Sequence, residues 1–137
     1  MILFLADTNI LGYFSRNNSA HLQQRMALAM QAQTVAISVI TRAETRYGVT
    51  LLNDNDKRRA AIGALLEQFP ALPWTPEAAD CYGELAATLH KTGQQIGVMD
   101  TMIAAHALVN DLTVVTHNTR HFSRVPGLKL DDWMAQC

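Results

Sequence analysis

Short apolar runs alternate along the chain with segments in which apolar residues recur every three or four positions. The runs cover residues 2–6, 35–38, 72–74, 112–116 and, more weakly, 128–130. Continuous apolar runs of this length predict strands buried on both faces of a sheet. Strands that alternate with helices predict parallel pairing, so we expect an α/β three-layer sandwich with a central parallel sheet of four or five strands flanked by helices.

The periodic segments predict the helices and their buried faces. One stripe of apolar residues joins Leu22, Met26 and Ala29, and another joins Ile62, Leu65 and Phe69. Between them, Ile40, Ala43, Tyr47 and Leu51 predict the inward face of another helix. Residues 76–92 begin with proline and are followed by glycine, as a helix commonly is, and residues 100–110 complete the set.

Composition narrows the class of protein. The 137 residues are 49% hydrophobic and 17% charged, which favours a globular chain with its own core over a disordered one. We find no linker or repeat and therefore predict a single domain over 1–137. A net charge of −1 excludes a uniformly basic nucleic-acid binder but leaves local basic patches open.

The number of cysteines and the first apolar run indicate where in the cell the protein is located. Cys81 and Cys137 are too few for a disulfide framework or a four-cysteine zinc site. The apolar run at residues 2–6 has no basic flank and stops at Asp7, so it is too short for a signal peptide or membrane span. We therefore expect a cytoplasmic protein with no membrane association.

Four oxygen-bearing side chains share one pattern. Asp7 and Asn118 follow predicted strands, whereas Glu44 and Asp100 lie on predicted inward helix faces. Each has an ordinary alternative: Asp7, Asp100 and Asn118 can cap helices or turns, and Glu44 can pair with Arg42 or Arg46 or lie at a rim open to water. Together they form a hard-oxygen donor set that suits Mg²⁺, with Mn²⁺ able to substitute. Such a set favours phosphodiester hydrolysis by a metal-activated water.

These residues fall in motifs that resemble a known family. The motifs are LADTNI at 5–10, ISVITRAETRYG at 37–48, IGVMDTMIAAHA at 96–107 and VTHNTRHFSRVPGL at 115–128, followed by DDW at 131–133. In this order, and over nearly the whole chain, they resemble VapC-type toxins of the PIN-domain family.

The resemblance implies a metal-dependent endoribonuclease that is the toxin of a type II toxin–antitoxin pair. It implies that Asp7, Glu44, Asp100 and Asn118 surround the metal, and that the substrate is structured RNA, with tRNA as the leading candidate. It also implies a VapB-type antitoxin and a homodimer. Family members often carry Asp where this chain has Asn118, which weakens the case for a second tightly held ion, and many carry Pro where it has Val98.

Other polar residues near the predicted strand ends can support such a site. Thr8 and Thr116 can orient a ligand carboxylate or a bound water, although both can equally act as caps. Arginines can form a local phosphate-binding surface; the candidates are Arg16, Arg42, Arg46, Arg120 and Arg124.

Three competing interpretations are weaker. Asp7 after a strand also resembles the nucleophile loop of haloacid-dehalogenase-type phosphatases, but position 9 is Asn where those enzymes need an acid. A phosphoacceptor receiver domain needs a lysine after its late strands, and Lys129 fits that position poorly. His117 and His121 have helical spacing for zinc, but no third ligand follows, and His106 in its Ala-rich helix is typical of a packed, hydrogen-bonded imidazole.

Overall fold

One parallel sheet organises the protein. The computed structural model describes residues 1–135, and its five strands are β1 (Phe4–Ala6), β2 (Val35–Ser38), β3 (Ala71–Leu72), β4 (Thr113–Val115) and β5 (Lys129–Asp131). They are ordered β3-β2-β1-β4-β5, and every neighbouring pair is parallel. The predicted fold class is confirmed, and all five predicted strands exist with bounds that differ by at most a few residues.

Helices fill the connections on both faces of the sheet. They are α1 (Thr8–Arg16), α2 (Ala20–Gln31), α3 (Val39–Thr50), α4 (Lys57–Leu66), α5 (Pro76–Lys91), α6 (Val98–Val109) and the short α7 (Thr119–Phe122). Side chains of Asp7, Ser19, Ser38, Asp56 and Thr75 cap the first five, each accepting a bond from an amide in the first turn. The capping side chains therefore mark where each of these five helices begins.

Adjacent residues of β1 belong to two different cores. Leu5 packs with Ile103 of α6 and Val114 of β4, whereas Ala6 packs with Ile10 and Met26 on the α1–α2 side. Both β1 residues are fully buried, as the continuous apolar run predicted. Within residues 1–135, no helix has the length and apolarity needed to cross a bilayer. Cys137 lies outside the described residues, and Cys81 is a free thiol.

The predicted buried face of α3 is wrong. Tyr47 and Leu51 are 69% and 70% exposed, and Ala43 is also exposed. The helix instead buries Thr41 and Val49. A second exposed apolar pair, Val98 and Met99, lies in the first turn of α6, a helix that contacts α3.

Candidate metal centre and active site

The candidate site lies at the carboxyl edge of β1 and β4. The chain leaves β1 for β2 on one side of the sheet and later places β4 on the other, so the strand order reverses between β1 and β4. Parallel sheets bind ligands at such a reversal. Asp7 directly follows β1, Thr116 directly follows β4, and Asp7 N–H donates to the Val115 carbonyl at 3.0 Å. The fold therefore places Asp7 and Thr116 side by side at the carboxyl ends of β1 and β4.

Asp7 is the most deeply buried carboxylate of the group, with 2% of its surface exposed. Its Oδ1 accepts the Ile10 amide at 2.7 Å, so the predicted capping role is also present. Burial raises the pKa of Asp7 to about 6, against hydrogen bonds from Thr116 and Ile10, and repulsion from Asp100 and Glu44 raises it further. These three carboxylates therefore share one electrostatic environment.

Glu44 lies on α3, and its side chain contacts α1. The Thr8 hydroxyl donates to Glu44 Oε1 at 2.6 Å and lies 3.2 Å from the Thr41 hydroxyl. The alternative that Glu44 pairs with Arg42 or Arg46 is wrong, because both arginines face Glu67 at 2.8 and 3.6 Å. Thr8 thus fixes one oxygen of Glu44 beside the N-terminus of α1.

Asp100 lies in the first turn of α6 rather than at its cap, because the helix begins two residues earlier, at Val98. Burial raises the pKa of Asp100, the nearby His121 lowers it, and Glu44 raises it again. His121 Nε2 donates to the Ile96 carbonyl at 2.6 Å and lies 3.4 Å from Asp100 Oδ2. Sequence analysis did not place His121 beside Asp100. The only signal for this contact was the position of His121 shortly after β4.

Asn118 and Thr116 form the turn after β4. The fully buried Thr116 hydroxyl accepts the Asn118 amide at 2.9 Å. Asn118 occupies the N-cap position of α7, but its carboxamide makes no capping bond. It is exposed and lines a small cavity with Asn9, Tyr13 and His117. The backbone of Asn118 is therefore a turn, as its ordinary alternative predicted. Its carboxamide makes no capping bond and can contact a ligand.

The candidate arginines are dispersed. Arg16 lies over the Tyr13 ring at 5.2 Å, Arg120 is exposed on α7, and Arg124 donates to the Gln95 carbonyl at 2.9 Å. Arg42 and Arg46 instead share Glu67, whose side chain is 67% exposed. Arg120 lies two residues after Asn118, and Arg16 lies at the last residue of α1, over the ring of Tyr13.

Two competing interpretations lose their structural support. Lys129 begins β5 in register with Thr113, the first residue of β4, so it lies at the opposite edge of the sheet from Asp7, and it pairs with Asp111. A receiver domain would need it at the site. His117 and His121 have separate partners, Asp132 for the first and Asp100 with Ile96 for the second.

His106 is packed as its sequence context predicted. It is 1% exposed, and Nε2 donates to the Pro73 carbonyl at 3.0 Å while Nδ1 accepts from the Ser38 hydroxyl at 2.8 Å. Trp74 meets the imidazole edge to face at 5.4 Å. Burial lowers the pKa of His106, so the ring is held neutral.

Comparison with known proteins assigns this arrangement to a family. A family model described as the PIN domain matches residues 4–128. The chain belongs to the PIN-domain family. The match covers β1 to β4 and α1 to α7 and ends just before β5, and it confirms the resemblance drawn from the motifs.

Relatives of this PIN domain match it from end to end. The chain is 30% identical over 132 residues to ribonuclease VapC2 of Rickettsia felis, covering 96% of this chain and 98% of that protein. It is 34% identical over 133 residues to tRNA(fMet)-specific endonuclease VapC of Shigella flexneri, covering 97% and 99%. A crystal structure of DNA-bound VapBC from Salmonella typhimurium superposes with a TM-score of 0.90 at 32% identity, covering 97% and 99%.

Proposed function

We propose that this chain is a Mg²⁺-dependent endoribonuclease, with Mn²⁺ able to substitute, and the toxin of a type II toxin–antitoxin pair. It acts as a single domain on phosphodiester bonds of structured RNA. The observation that carries the proposal is the convergence of Asp7, Glu44 and Asp100 at the strand-order reversal of a PIN domain. Repulsion from Glu44 raises the pKa of both Asp7 and Asp100, and buried carboxylates of this kind are costly unless a cation balances them.

The donor set fits a hard divalent ion by its chemistry. Asp7, Glu44 and Asp100 supply carboxylate oxygens and Asn118 a neutral carboxamide oxygen, which are ligands that Mg²⁺ accepts. Among residues 1–135, no group of three or more His, Cys, Asp or Glu side chains is placed so that it could hold a metal ion. We infer that Mg²⁺ is held by part of this set, with waters and substrate phosphate completing the shell.

The residues around the cluster have distinct proposed tasks. When bound, a divalent ion supplies Lewis acidity toward a phosphate oxygen and lowers the pKa of water. Thr8 orients Glu44, and Thr116 forms a hydrogen bond with Asp7, so the orientation of both carboxylates is fixed. In hydrolysis, water attacks phosphorus while a carboxylate of the cluster accepts its proton, and the bond to the leaving oxygen breaks as that oxygen takes a proton from solvent.

RNA is the proposed substrate, and tRNA is the proposed RNA class. The Shigella flexneri relative is named for tRNA(fMet), and it is similar over its full length. Arg16 and Arg120 are the proposed phosphate contacts because both are exposed, Arg120 two residues after Asn118 and Arg16 over the ring of Tyr13. Arg42 and Arg46 remain weaker candidates, since binding RNA would require them to give up Glu67.

An antitoxin of the VapB type is the proposed partner. A groove of about 270 Å³ begins at Thr8 and is otherwise mostly apolar, with walls from Leu11, Val49, Leu52 and Ile62. An antitoxin segment could therefore bury apolar side chains there and extend a basic one to the neighbouring carboxylates. The VapBC assembly of Salmonella typhimurium supports this choice of occupant.

A homodimer and a cytoplasmic location complete the proposal. The exposed apolar side chains on α3 and the first turn of α6 form a surface for a second copy; they are Tyr47, Leu51, Val98 and Met99. The cytoplasm is where RNA substrates are found, and the free Cys81 thiol is compatible with its reducing conditions.

Cleavage of a tRNA mixture by the purified chain tests the function. We expect fragments with Mg²⁺ or Mn²⁺, none with chelator, and loss of cleavage in Asp100→Asn. The matched control is Asp80→Asn, which changes an exposed aspartate on α5 and should cleave like the original. Cleavage that persists in chelator, or in Asp100→Asn, would refute the metal-dependent mechanism.

A further inference from the structure

A small cavity opens beside the acidic cluster, between the start of α1 and the turn after β4. Its volume is about 250 Å³, and its walls are Asn9, Tyr13, His117 and Asn118. We propose that this cavity is a nucleobase subsite that receives one base of the RNA next to the phosphate being cleaved. The proposal rests on the proposed ribonuclease function and adds the part of the substrate that the site recognises.

The walls of the cavity include two rings held at a fixed angle. Tyr13 and His117 meet edge to face, with centroids 5.6 Å apart and an interplanar angle of 82°. His117 Nδ1 donates to Asp132 Oδ2 at 3.0 Å, which holds the imidazole from behind, while 47% of the His117 side chain remains exposed. Nucleobases stack on aromatic faces in single-stranded RNA sites. A ring that is held in place and open on one side is suited to that contact.

Carboxamides supply polar groups at the same cavity. Asn9 and Asn118 each carry an acceptor oxygen and two N–H donors, which can pair with the edge of a base. Asn9 is exposed, and the Asn118 carboxamide does not cap α7. The residues that line the cavity include no Asp, Glu, Lys or Arg. The cavity therefore suits a neutral base better than a phosphate, in contrast to the carboxylates beside it.

The position and size of the cavity limit what it can hold. Asn9 is two residues after Asp7, and Asn118 is itself a candidate metal ligand, so an occupant lies next to the reacting phosphate. Pockets for drug-sized ligands usually exceed about 300 Å³, so this smaller cavity suits an occupant the size of a nucleobase. Arg16, stacked over Tyr13 at 5.2 Å, can reach the phosphate of the same strand.

Binding of mononucleotides tests the subsite without requiring cleavage. NMR spectra of the intact protein are recorded with each nucleoside 5′-monophosphate and with ribose 5-phosphate, which has the phosphate but no base. We expect the ring signals of Tyr13 and His117 to move with at least one nucleotide and to stay unchanged with ribose 5-phosphate. Equal movement with ribose 5-phosphate, or none with any nucleotide, would overturn the proposal.

Steady-state cleavage supplies the second readout. Tyr13→Ala and His117→Ala should raise KM for RNA at least about fivefold, as loss of one stacked base predicts, with kcat changed less. Tyr13→Phe keeps the ring and should restore KM, and His90→Ala removes an exposed histidine from α5 as a matched control. Circular dichroism confirms that each variant is folded.

Failure of the proposed function and failure of the subsite give different results. If the protein binds nucleotides but cleaves no RNA, the ribonuclease proposal fails and the base site stands. If RNA is cleaved with an unchanged KM in Tyr13→Ala and the nucleotides move no ring signal, the subsite is wrong. Weaker antitoxin binding by Tyr13→Ala in that second case would reassign the cavity to the protein partner.

Discussion

The Ser38 hydroxyl donates a 2.8 Å hydrogen bond to Nδ1 of the buried His106, and this bond joins two helices of the site. Ser38 is also the N-cap of α3, where it accepts the Ile40 amide at 3.0 Å. His106 belongs to α6, and Asp100 lies on the same helix, as Glu44 does on α3. The bond therefore fixes the separation of the elements that carry two of the three carboxylates.

Removal of this imidazole should be costly. His106→Ala leaves the Ser38 hydroxyl and the Pro73 carbonyl buried with one partner fewer, and we expect a loss of about 3 kcal/mol in the free energy of unfolding. His90→Ala, which changes an exposed histidine on α5, should stay within about 0.5 kcal/mol. Urea unfolding measures both, and a His106→Ala loss no larger than that of the control would contradict the role of the bond.

The same histidine makes stability depend on pH. Because burial lowers the pKa of His106, the unfolded chain binds a proton more readily than the folded protein does. Stability is therefore lost as pH falls below about 6.5, the unfolded-state pKa, until the folded-state pKa is reached. His106→Gln should lack this component, and unfolding curves of the two proteins between neutral and acidic pH compare them.

Asp7→Asn should separate stability from activity. The folded-state pKa of Asp7, about 6, lies above 3.8, so without divalent ions the folded protein gains stability as pH falls from about 6 to about 4. Asn cannot ionise and can still cap α1, so we expect the variant to be more stable by up to about 3 kcal/mol above pH 7 and by almost nothing near pH 4. Cleavage should fall at least about 100-fold.

Addition of Mg²⁺ checks the cause of that stabilisation. An ion that binds the folded state should raise the melting temperature of the original protein and have little effect on Asp7→Asn. An equal rise in both proteins would show that Asp7 does not contribute to metal binding.

Asn118 should limit how many ions bind without RNA. A carboxamide oxygen contributes no charge, so we expect one firmly held ion, with any second one requiring a substrate phosphate. Asn118→Asp should raise the affinity for Mg²⁺ and Mn²⁺. Calorimetric titration of the RNA-free protein measures this, and two tight ions in the original chain would contradict it.

Inhibition by the antitoxin should depend on the carboxylates. An arginine inserted at the cluster would pair with their oxygens, so Asp7→Asn combined with Glu44→Gln should weaken antitoxin binding at least about tenfold. Glu77→Gln with Asp80→Asn removes two exposed carboxylates on α5 as the matched control. Unchanged affinity in the first pair would favour steric blocking of the groove over charge pairing.

The exposed surface of α3 and α6 should mediate dimer formation. Leu51→Glu places a charge among apolar side chains and should convert a dimer to monomers in sedimentation experiments. Leu28→Glu changes a residue of similar exposure on α2 and should leave the dimer intact. A monomeric original chain, or dissociation caused by Leu28→Glu alone, would contradict the assignment of this surface.

The sequence by itself determined the fold class, the strand positions and the four candidate ligands. Strands such as Val35–Ser38 are evident because both faces of a central strand must be apolar, so their signal is continuous and local. Asp7 and Asn118 could be placed at one edge because parallel strands bring their carboxyl ends together. These inferences needed no knowledge of which helix contacts which.

The tertiary structure alone decided which surface the apolar stripe of α3 faces. The stripe through Tyr47 and Leu51 is periodic, but periodicity does not say whether an apolar face packs within the chain or remains on its surface. Contacts between distant segments, such as His121 with Asp100 or Ser38 with His106, have no local signature, because they arise only when the sheet brings their elements together. The pKa of Asp7 likewise depends on burial and neighbours that only the fold supplies.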